Sequence, residues 1–300
     1  MAIQEQPALA DRVYALLGEL DAAEVGSDTE LAAIGFDSLA AAELAAAVQR
    51  ELGVDLVDQR MAGLRTAREV SELVERTAGV TAPAERDAYP RGMGRLQTFA
   101  GGVLGPFSRW WFSLDVRGTE YMPRSGPVVL CMNHESLLDI PIVTVASPRQ
   151  IRMMAKQELF AKPAGARFFH ELGGFPVQRG GFDLRAVEIG LEVLRRGEVL
   201  GMYPEGTRTP GVLLPFLPGA AWLALSTGAP LVPCAITGAH AAMPKGAKFF
   251  KRVPIRVEFG SAIAVEREDD PARRRQRALQ LTEALQVEVA GMWNGGRVAD

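Results

Sequence analysis

The sequence predicts a small all-α domain at the N-terminus, followed by a larger α/β domain in which helices flank a central mixed sheet. Its 300 residues are 48% hydrophobic and 23% charged, an ordinary globular composition in a chain long enough for two domains. Charge divides the chain unequally, because residues 1–85 carry 6 Lys and Arg against 16 Asp and Glu, whereas the remainder carries 27 against 20. Apolar residues follow helical spacing first, and strand-like runs alternate with helical stretches later.

The acidic N-terminal part has the apolar periodicity of amphipathic helices. A TxxE capping box at Thr66 and Glu69 marks the start of the last of them. The apolar positions at helical spacing are Leu9, Val13, Leu16, Leu17 and Leu20, then Leu44, Val48 and Leu52, and finally Val70, Leu73 and Val74. These patterns predict a small helical bundle.

A linker separates the bundle from the rest of the chain. The periodicity stops after Ala78, and glycines and prolines interrupt any regular element up to Arg95. We therefore predict a first domain at 1–80, a linker at 81–95 and a second domain at 96–300. A flexible coil of about 18 residues, from Ala78 to Arg95, spans roughly 20 to 25 Å, which keeps the first domain at an effective concentration on the order of millimolar near the second.

The second domain alternates predicted strands with predicted helices. The apolar runs that predict strands are PVVLCM (127–132), VLGMY (199–203), PLVPCAI (230–236) and IRVEF (255–259). The clearest helix has Leu184, Val187, Leu191 and Leu194 at helical spacing before a stop at Gly197. Neither a GxxxxGK nor a GxGxxG loop occurs, so the sequence does not predict a nucleotide cofactor.

The cysteines and the chain start indicate the compartment. Cys131 and Cys234 lie far apart in apolar runs, so we expect neither a disulfide framework nor a metal site. The first residues do not have the pattern of a secretion signal, and no window reaches the roughly 18 apolar residues of a spanning helix. We expect a cytoplasmic chain without a transmembrane helix and without a nucleic-acid partner.

A serine lies at the head of the second predicted helix, in the motif GFDSL. A hydroxyl at Ser38 would be exposed there, and a phosphate diester attached to it would lie at the positive end of the helix dipole. The alternative is that Asp37 or Ser38 only caps the helix. Residues 8–78 resemble acyl and peptidyl carrier proteins, which are four-helix bundles. The resemblance implies 4′-phosphopantetheine on Ser38, installed by a phosphopantetheinyl transferase.

A histidine and an aspartate follow the first strand, in the run NHESLLD. On a continuous helix, residues five apart point about 140° apart, so His134 should lie in a turn if it is to meet Asp139. Pro141 favours the first helical turn, which makes Asp139 the predicted N-cap with its carboxylate directed towards the imidazole. A carboxylate on one ring nitrogen makes the other nitrogen a better base. Alternatively, Asp139 only caps and His134 only satisfies the loop.

Two further turns present arginines. In GGFPVQRGG (173–181), glycines flank Arg179, whose planar guanidinium suits a phosphate. In YPEGTRTPG (203–211), proline and glycine force a turn that displays Arg208. Each could instead be a solvated turn with a surface arginine.

Together, NHESLLD, GGFPVQRG, PEGTR and APLVP resemble the ordered blocks of the glycerolphosphate and lysophosphatidate acyltransferase family, over roughly residues 95–262. The resemblance implies His134 as general base and Asp139 as its partner. It implies a substrate-binding set of Asn133, Lys156, Arg179, Glu205, Gly206, Thr207 and Arg208. It also implies that Val232 and Pro233 support the acyl side. Leu217 departs from the family, because members often carry a basic residue near that position.

The resemblances predict an O-acyltransferase that moves a fatty acyl group from a thioester, on a carrier or on coenzyme A, to the hydroxyl of a lysophosphatidate or glycerol-3-phosphate-type acceptor. One alternative is the same chemistry on another lipid or a natural-product hydroxyl. The other is a carrier or lipid-binding protein without catalysis.

Two segments suggest a membrane surface. Residues 96–114 group five aromatic side chains around one arginine, as an interfacial segment does, although a core helix would look similar. Residues 245–254 place four cations around Phe249 and Phe250, which suits anionic head groups or the acidic carrier, and equally a solvated loop. The expectation is a chain that lies peripherally at the inner face of the membrane.

Overall fold

The computed structural model describes most of both predicted domains. The described residues are 8–21, 24–56, 61, 63–78, 95–177, 184–209, 211–244, 246–247, 249–293 and 297–298. Among them, no helix combines the length and the apolar character needed to cross a bilayer.

The N-terminal domain contains three α-helices in its described residues. They are α1 (Leu9–Asp21), α2 (Ser38–Leu52) and α3 (Ala67–Ala78). The apolar residues that the sequence placed at helical spacing form one buried cluster between these helices, with Val13, Leu17 and Leu44 fully buried. The predicted capping box forms, since Glu69 accepts from the backbone amides of Arg65 and Thr66. The resemblance implied a fourth helix, and the interval between α2 and α3 includes residues 57–60 and 62, which lie outside the described residues.

The second domain is α/β, as predicted. Its helices are α4 (Arg95–Trp111), α5 (Asp139–Ala146), α6 (Pro163–Glu171), α7 (Leu184–Arg195), α8 (Gly219–Thr227), α9 (Ala239–Ala242) and α10 (Pro271–Met292). Its strands are β1 (Asp115–Arg117), β2 (Val128–Met132), β3 (Ile151–Lys156), β4 (Gly174–Val177), β5 (Val199–Met202), β6 (Val212–Leu213), β7 (Leu231–Thr237), β8 (Arg256–Phe259) and β9 (Arg297–Val298).

Seven strands form one mixed sheet in the order β1-β8-β7-β2-β5-β3-β4. All neighbours are parallel except β7 and β8, which confirms the predicted mixed sheet. Helices α7, α8 and α10 cover one face, and α4 and α5 cover the other. Strands β6 and β9 pair with each other outside this sheet. A parallel sheet buried on both faces explains why its strands are continuous apolar runs.

The position of β2 determines where the candidate site lies. This strand is fully buried between β7 and β5. In the register, Cys131 lies opposite Met202 of β5, and Met132 lies opposite Cys234 of β7. Because parallel strands end at the same edge, the turns after β2 and β5 leave the sheet side by side. The motifs NHESLLD and PEGTR therefore meet, although about 70 residues separate them.

Candidate active site

His134 and Asp139 form a buried pair at the carboxyl edge of the sheet. The Nδ1 atom of His134 lies 2.8 Å from Oδ2 of Asp139. The His134 residue is 6% exposed and Asp139 is 0% exposed, so water screens this contact weakly. A carboxylate beside Nδ1 favours the tautomer that carries its proton there, which leaves Nε2 as the basic nitrogen.

Asp139 is held differently from the prediction. It is the first residue of α5, and Leu138 precedes it as the N-cap without a side-chain bond. Instead of capping amides further along the helix, Oδ2 accepts from the backbone amides of Glu135 and Ser136, each at 2.8 Å. The turn folds back over the helix start, so its own amides reach the carboxylate. These amides and the imidazole fix the orientation of Asp139, and the predicted N-cap position was wrong by one residue.

Asn133 connects the turn that carries His134 to the neighbouring strand. Its side-chain nitrogen donates to the carbonyl of Ile236 at 2.9 Å, and its side-chain oxygen accepts from the Ile236 amide at 2.7 Å. Both amide atoms are thus engaged with β7, and the residue is 1% exposed. The resemblance implied that Asn133 shapes the turn of His134 and counted it in the substrate-binding set. Its contacts are those of a residue that shapes the turn, and contact with a substrate stays a prediction.

Glu205 also positions the turn. Its Oε1 accepts from the backbone amide of His134 at 2.7 Å, and its Oε2 accepts from the hydroxyl of Thr209 and the amide of Leu214. Burial raises the pKa of Glu205, while these hydrogen bonds oppose the shift. The resemblance placed this residue in the phosphate site. Its carboxylate is committed to three protein donors, and a role beside the acceptor phosphate stays a prediction.

Tyr203 is a site residue that the sequence reasoning missed. Its ring stacks on the imidazole of His134, with ring centroids 4.0 Å apart and planes inclined by 20°. Burial raises the pKa of Tyr203 well above its ordinary value. Its hydroxyl is buried and has no hydrogen-bond partner among the described residues. The signal in the sequence is an aromatic residue at the end of β5, directly before PEGTR.

We call the pair His134 and Asp139 the dyad. A small cleft opens beside it. Its lining residues are Glu135, Ser136, Leu137, Arg208, Met243, Pro244, Gly246 and Ala247. Glu135 is 7% exposed and accepts from the amide of Gly211 at 3.1 Å. Burial raises its pKa to about 7, assisted by the nearby carboxylates of Asp139 and Glu205. Glu135 was not among the predicted residues, since a single glutamate within NHESLLD carries no pattern of its own.

Some of the remaining predicted residues lie beside the cleft, and the others lie outside the residues that the structure describes. Gly206 has a φ of +67° and Thr207 is exposed, so the turn displays backbone next to Arg208. Arg179 lies outside the described residues. Lys156 ends β3 opposite Val177 of β4, and its side chain also lies outside the description.

The sheet order indicates how far the segment of Arg179 begins from the dyad. Arg179 follows β4, and strands β5 and β3 lie between β4 and β2. At ordinary strand spacing, β4 and β2 are about 14 Å apart. The predicted meeting of Arg179 with the dyad stays a prediction.

The predicted attachment serine begins α2. Asp37 caps this helix, because its Oδ1 accepts from the amides of Leu39 and Ala40, each at 2.9 Å. Asp37 is therefore the N-cap, and Ser38 is the first helical residue. That position at the positive helix end suits a phosphate diester. Among the described residues, no group of three or more His, Cys, Asp and Glu could hold a metal ion.

Comparisons with known proteins agree with both halves of this description. Residues 113–237 match the family model described as Acyltransferase, and residues 8–74 match the model of a phosphopantetheine attachment site. The 1-acyl-sn-glycerol-3-phosphate acyltransferase of Bacillus subtilis (strain 168) is 29% identical over 184 residues, which cover 60% of this chain and 88% of that protein. The beta enzyme of that name from Homo sapiens is 31% identical over 172 residues, covering 54% of this chain and 61% of its own length.

A solved structure shares the fold. The crystal structure of the 1-acyl-sn-glycerophosphate (LPA) acyltransferase PlsC from Thermotoga maritima superposes with a TM-score of 0.50 at 24% identity, covering 64% of this chain and 79% of that one.

Proposed function

We propose that this chain, an acyltransferase of the 1-acylglycerol-3-phosphate acyltransferase family with a phosphopantetheine-attachment domain at its N-terminus, transfers a fatty acyl group from a thioester to the hydroxyl of a lysophosphatidate or glycerol-3-phosphate-type acceptor. The observation that carries the proposal is the buried contact between His134 Nδ1 and Asp139 Oδ2 at 2.8 Å. It supplies an oriented base at the edge of the sheet where the family motifs converge.

In the proposed reaction, His134 acts as the general base. Its Nε2 takes the proton of the acceptor hydroxyl while the oxygen attacks the thioester carbonyl carbon. The resulting tetrahedral intermediate expels the thiolate, which takes the proton back from the imidazolium, so the products are an ester and a free thiol. Asp139 stabilises the imidazolium that forms between the two steps. General base catalysis of this kind contributes roughly 10²- to 10⁴-fold.

Arg208 is our candidate for binding the acceptor phosphate. It borders the cleft beside the dyad, next to the backbone displayed at Gly206 and Thr207. A guanidinium at the rim of a cleft is a suitable group for a phosphate oxygen. Arg179 and Lys156 are further candidates from the family motifs.

One observation favours an acceptor of another kind. Leu217 is 60% exposed and lies against the PEGTR turn, where its amide donates to Pro204. An apolar side chain there stands where family members often carry a cation, and Glu135 lines the cleft beside Arg208 as an acidic group. Both features reduce the positive charge available to a phosphate. A lipid or natural-product hydroxyl without a phosphate is therefore our second candidate acceptor.

The thioester donor is proposed to be a carrier or coenzyme A. When bound to Ser38, 4′-phosphopantetheine would supply a flexible thiol that holds the acyl group as a thioester. The capped start of α2 fits such a group, because Asp37 already satisfies the amides of Leu39 and Ala40 and leaves Ser38 at the helix end. A phosphopantetheinyl transferase is the partner that this attachment requires.

A membrane surface is the proposed location of the acceptor. Helix α4 exposes Phe99 by 66% and Trp110 by 61%, and Phe249 on a neighbouring loop is 83% exposed. The guanidinium of Arg252 lies 5.7 Å from the Trp110 ring centroid, so the aromatic and basic groups belong to one surface. Exposed aromatic side chains with cations around them suit the interface of an anionic bilayer. We propose that the chain works in the cytoplasm, where this aromatic and basic surface contacts the membrane peripherally.

The test uses the full-length chain with acyl-carrier and acyl-coenzyme A donors against acceptors with and without a phosphate. Ester formation should fall by roughly 10²- to 10⁴-fold in both His134→Ala and Asp139→Asn. Acyl transfer that is unchanged in His134→Ala would exclude the base assignment. Activity on unphosphorylated acceptors alone would select the second candidate. Absence of ester with every pair, from a folded chain, would favour a carrier or lipid-binding protein.

A further inference from the structure

Helix α2 has two buried faces. One face, which includes Leu44 and Val48, belongs to the core of the N-terminal domain. The other face consists of Leu39, Ala42 and Glu43, which we call the dock face. Its members are at most 6% exposed and share one stripe, because they are separated by three and four residues. Leu39 and Ala42 belong to the same apolar cluster as helices α7, α8 and α10 of the acyltransferase domain.

A buried ion pair lies at the centre of this contact. Arg274 of α10 donates to both carboxylate oxygens of Glu43, and Trp222 of α8 donates its indole N–H to the same carboxylate at 2.6 Å. The guanidinium also lies 5.6 Å from the Trp222 ring centroid. Glu43 is 1% exposed and Arg274 is 8% exposed. A charge buried this deeply is tolerated only with its partner, so the contact selects one arrangement of the two domains.

A second arginine holds the turn that precedes Ser38. The side chain of Arg275 donates to the carbonyl of Gly35 at 2.7 Å and to Oδ2 of Asp37 at 3.2 Å. Asp37 therefore uses one oxygen to cap α2 and the other to bind the acyltransferase domain. The start of α2, with the attachment position, is fixed beside the N-terminal end of α10.

The dyad lies near the opposite end of α10. Gln286 accepts from the amide of Phe216, and β9, which follows α10, pairs with β6. Strand β6 directly follows Gly211, whose amide binds Glu135 beside His134. At 1.5 Å per residue, Arg275 and the end of α10 at Met292 are about 25 Å apart. In this arrangement the start of α2 lies beside the end of α10 that is farther from the dyad.

We propose that the dock face is a resting interface, in which the carrier domain is held on α8 and α10 of its own acyltransferase domain with Ser38 remote from the dyad. Release of the Glu43–Arg274 and Asp37–Arg275 contacts would then precede both arm attachment by a phosphopantetheinyl transferase and delivery to His134. The proposal rests on the assignment of Ser38 as the attachment position. It adds a step in which docking limits access to that position.

The first variant changes only the acyltransferase side, so that the carrier surface met by the transferase stays the same. Arg274→Ala leaves Glu43 buried without its cation, which should lower the ratio of docked to released chain by roughly 10²- to 10³-fold. Arg273→Ala is the matched control, since Arg273 is an exposed neighbour on the same helix. In the full-length chain, Arg274→Ala should increase the radius of gyration in solution scattering. It should also accelerate the mass gain on incubation with coenzyme A and a phosphopantetheinyl transferase, whereas Arg273→Ala should match the wild type in both measurements.

A rescue variant separates docking from misfolding. Glu43→Gln combined with Arg274→Met removes both charges and keeps an acceptor for Trp222, so it should restore the compact scattering profile. Wild-type compactness and wild-type attachment rate in Arg274→Ala would overturn the proposal, as would expansion that the double variant does not reverse. If no variant gains mass, wild type included, the assignment of Ser38 fails, while scattering still decides whether the dock exists.

Discussion

The backbone amide of His134 donates to the carboxylate of Glu205 at 2.7 Å, which joins the turns after β2 and β5. The return contact runs from the amide of Thr209 to the carbonyl of His134 at 3.0 Å. The imidazole is thus held through its own backbone as well as through Asp139. The PEGTR turn therefore supports the turn that carries His134, and its Arg208 borders the cleft.

Replacing Glu205 should therefore affect the rate of the reaction more than acceptor binding. In Glu205→Gln, one side-chain oxygen becomes an N–H donor and faces donors on the protein, so the His134 turn loses at least one of its contacts. We expect kcat to fall roughly tenfold to 100-fold with little change in the acceptor KM, because the ground-state contacts of the acceptor remain. Steady-state kinetics with Thr209→Val as the milder comparison measures this. A rise in acceptor KM at constant kcat would return Glu205 to the phosphate site.

The sequence predicted several of the strands and helices but not which of them lie side by side. Strands β2, β5, β7 and β8 were predicted because a buried strand is a short apolar run, whatever it pairs with. The sheet order depends on contacts between distant segments, which local periodicity does not contain. The contact between Glu205 and His134 follows from that order, so no motif could show that this glutamate faces the turn and not a ligand.

The same reasoning explains the second face of α2. The segment SLAAAELAAAVQREL contains apolar residues on all sides, which is compatible with burial on two faces but does not identify the second partner. Glu43 appears in the sequence as an ordinary acidic residue of an acidic domain. Its burial follows from Arg274, which is 231 residues away in the chain.

Glu135 should make the stability of the fold depend on pH. Burial raises its pKa to about 7, so the folded chain binds a proton more tightly than the unfolded chain does. The contribution of Glu135 to the free energy of unfolding is therefore most favourable at low pH. It is lost as the pH rises from about 4.5 to about 7. Glu135→Gln keeps an acceptor for the Gly211 amide and cannot ionise. We expect it to match the wild type near pH 4.5 and to exceed it in free energy of unfolding at pH 8, by on the order of 2 kcal/mol.

Urea denaturation at both pH values checks this expectation. Glu283→Gln, at an exposed position of helix α10, serves as a control for the loss of one carboxylate. An equal difference between Glu135→Gln and wild type at pH 4.5 and pH 8 would mean that ionisation of Glu135 does not enter the folding equilibrium.

The roles of the Tyr203 ring and of its hydroxyl can be tested separately. The ring stacks on His134, whereas the buried hydroxyl has no hydrogen-bond partner among the described residues. Tyr203→Phe should retain activity within about twofold and raise the free energy of unfolding by about 1 kcal/mol, since an unsatisfied polar group is removed. Tyr203→Leu removes the stack and should lower kcat. Thermal unfolding and kinetics of both variants are the measurements, and a large loss of activity in Tyr203→Phe would show that the hydroxyl takes part in the reaction.

The exposed aromatic surface should determine attachment to lipid. Phe249 is 83% exposed in water, and burying a phenylalanine side chain in an apolar phase is worth roughly 1.5 to 3 kcal/mol. Phe249→Ser should therefore weaken co-sedimentation with anionic vesicles by about tenfold or more. Leu279→Ser is the matched control, because Leu279 is 51% exposed on α10, in a different part of the domain. Equal weakening by both substitutions would indicate unspecific hydrophobic adsorption. If Phe249→Ser binds vesicles as well as the wild type does, this loop is not part of the membrane contact. Trp110→Ser would then test α4.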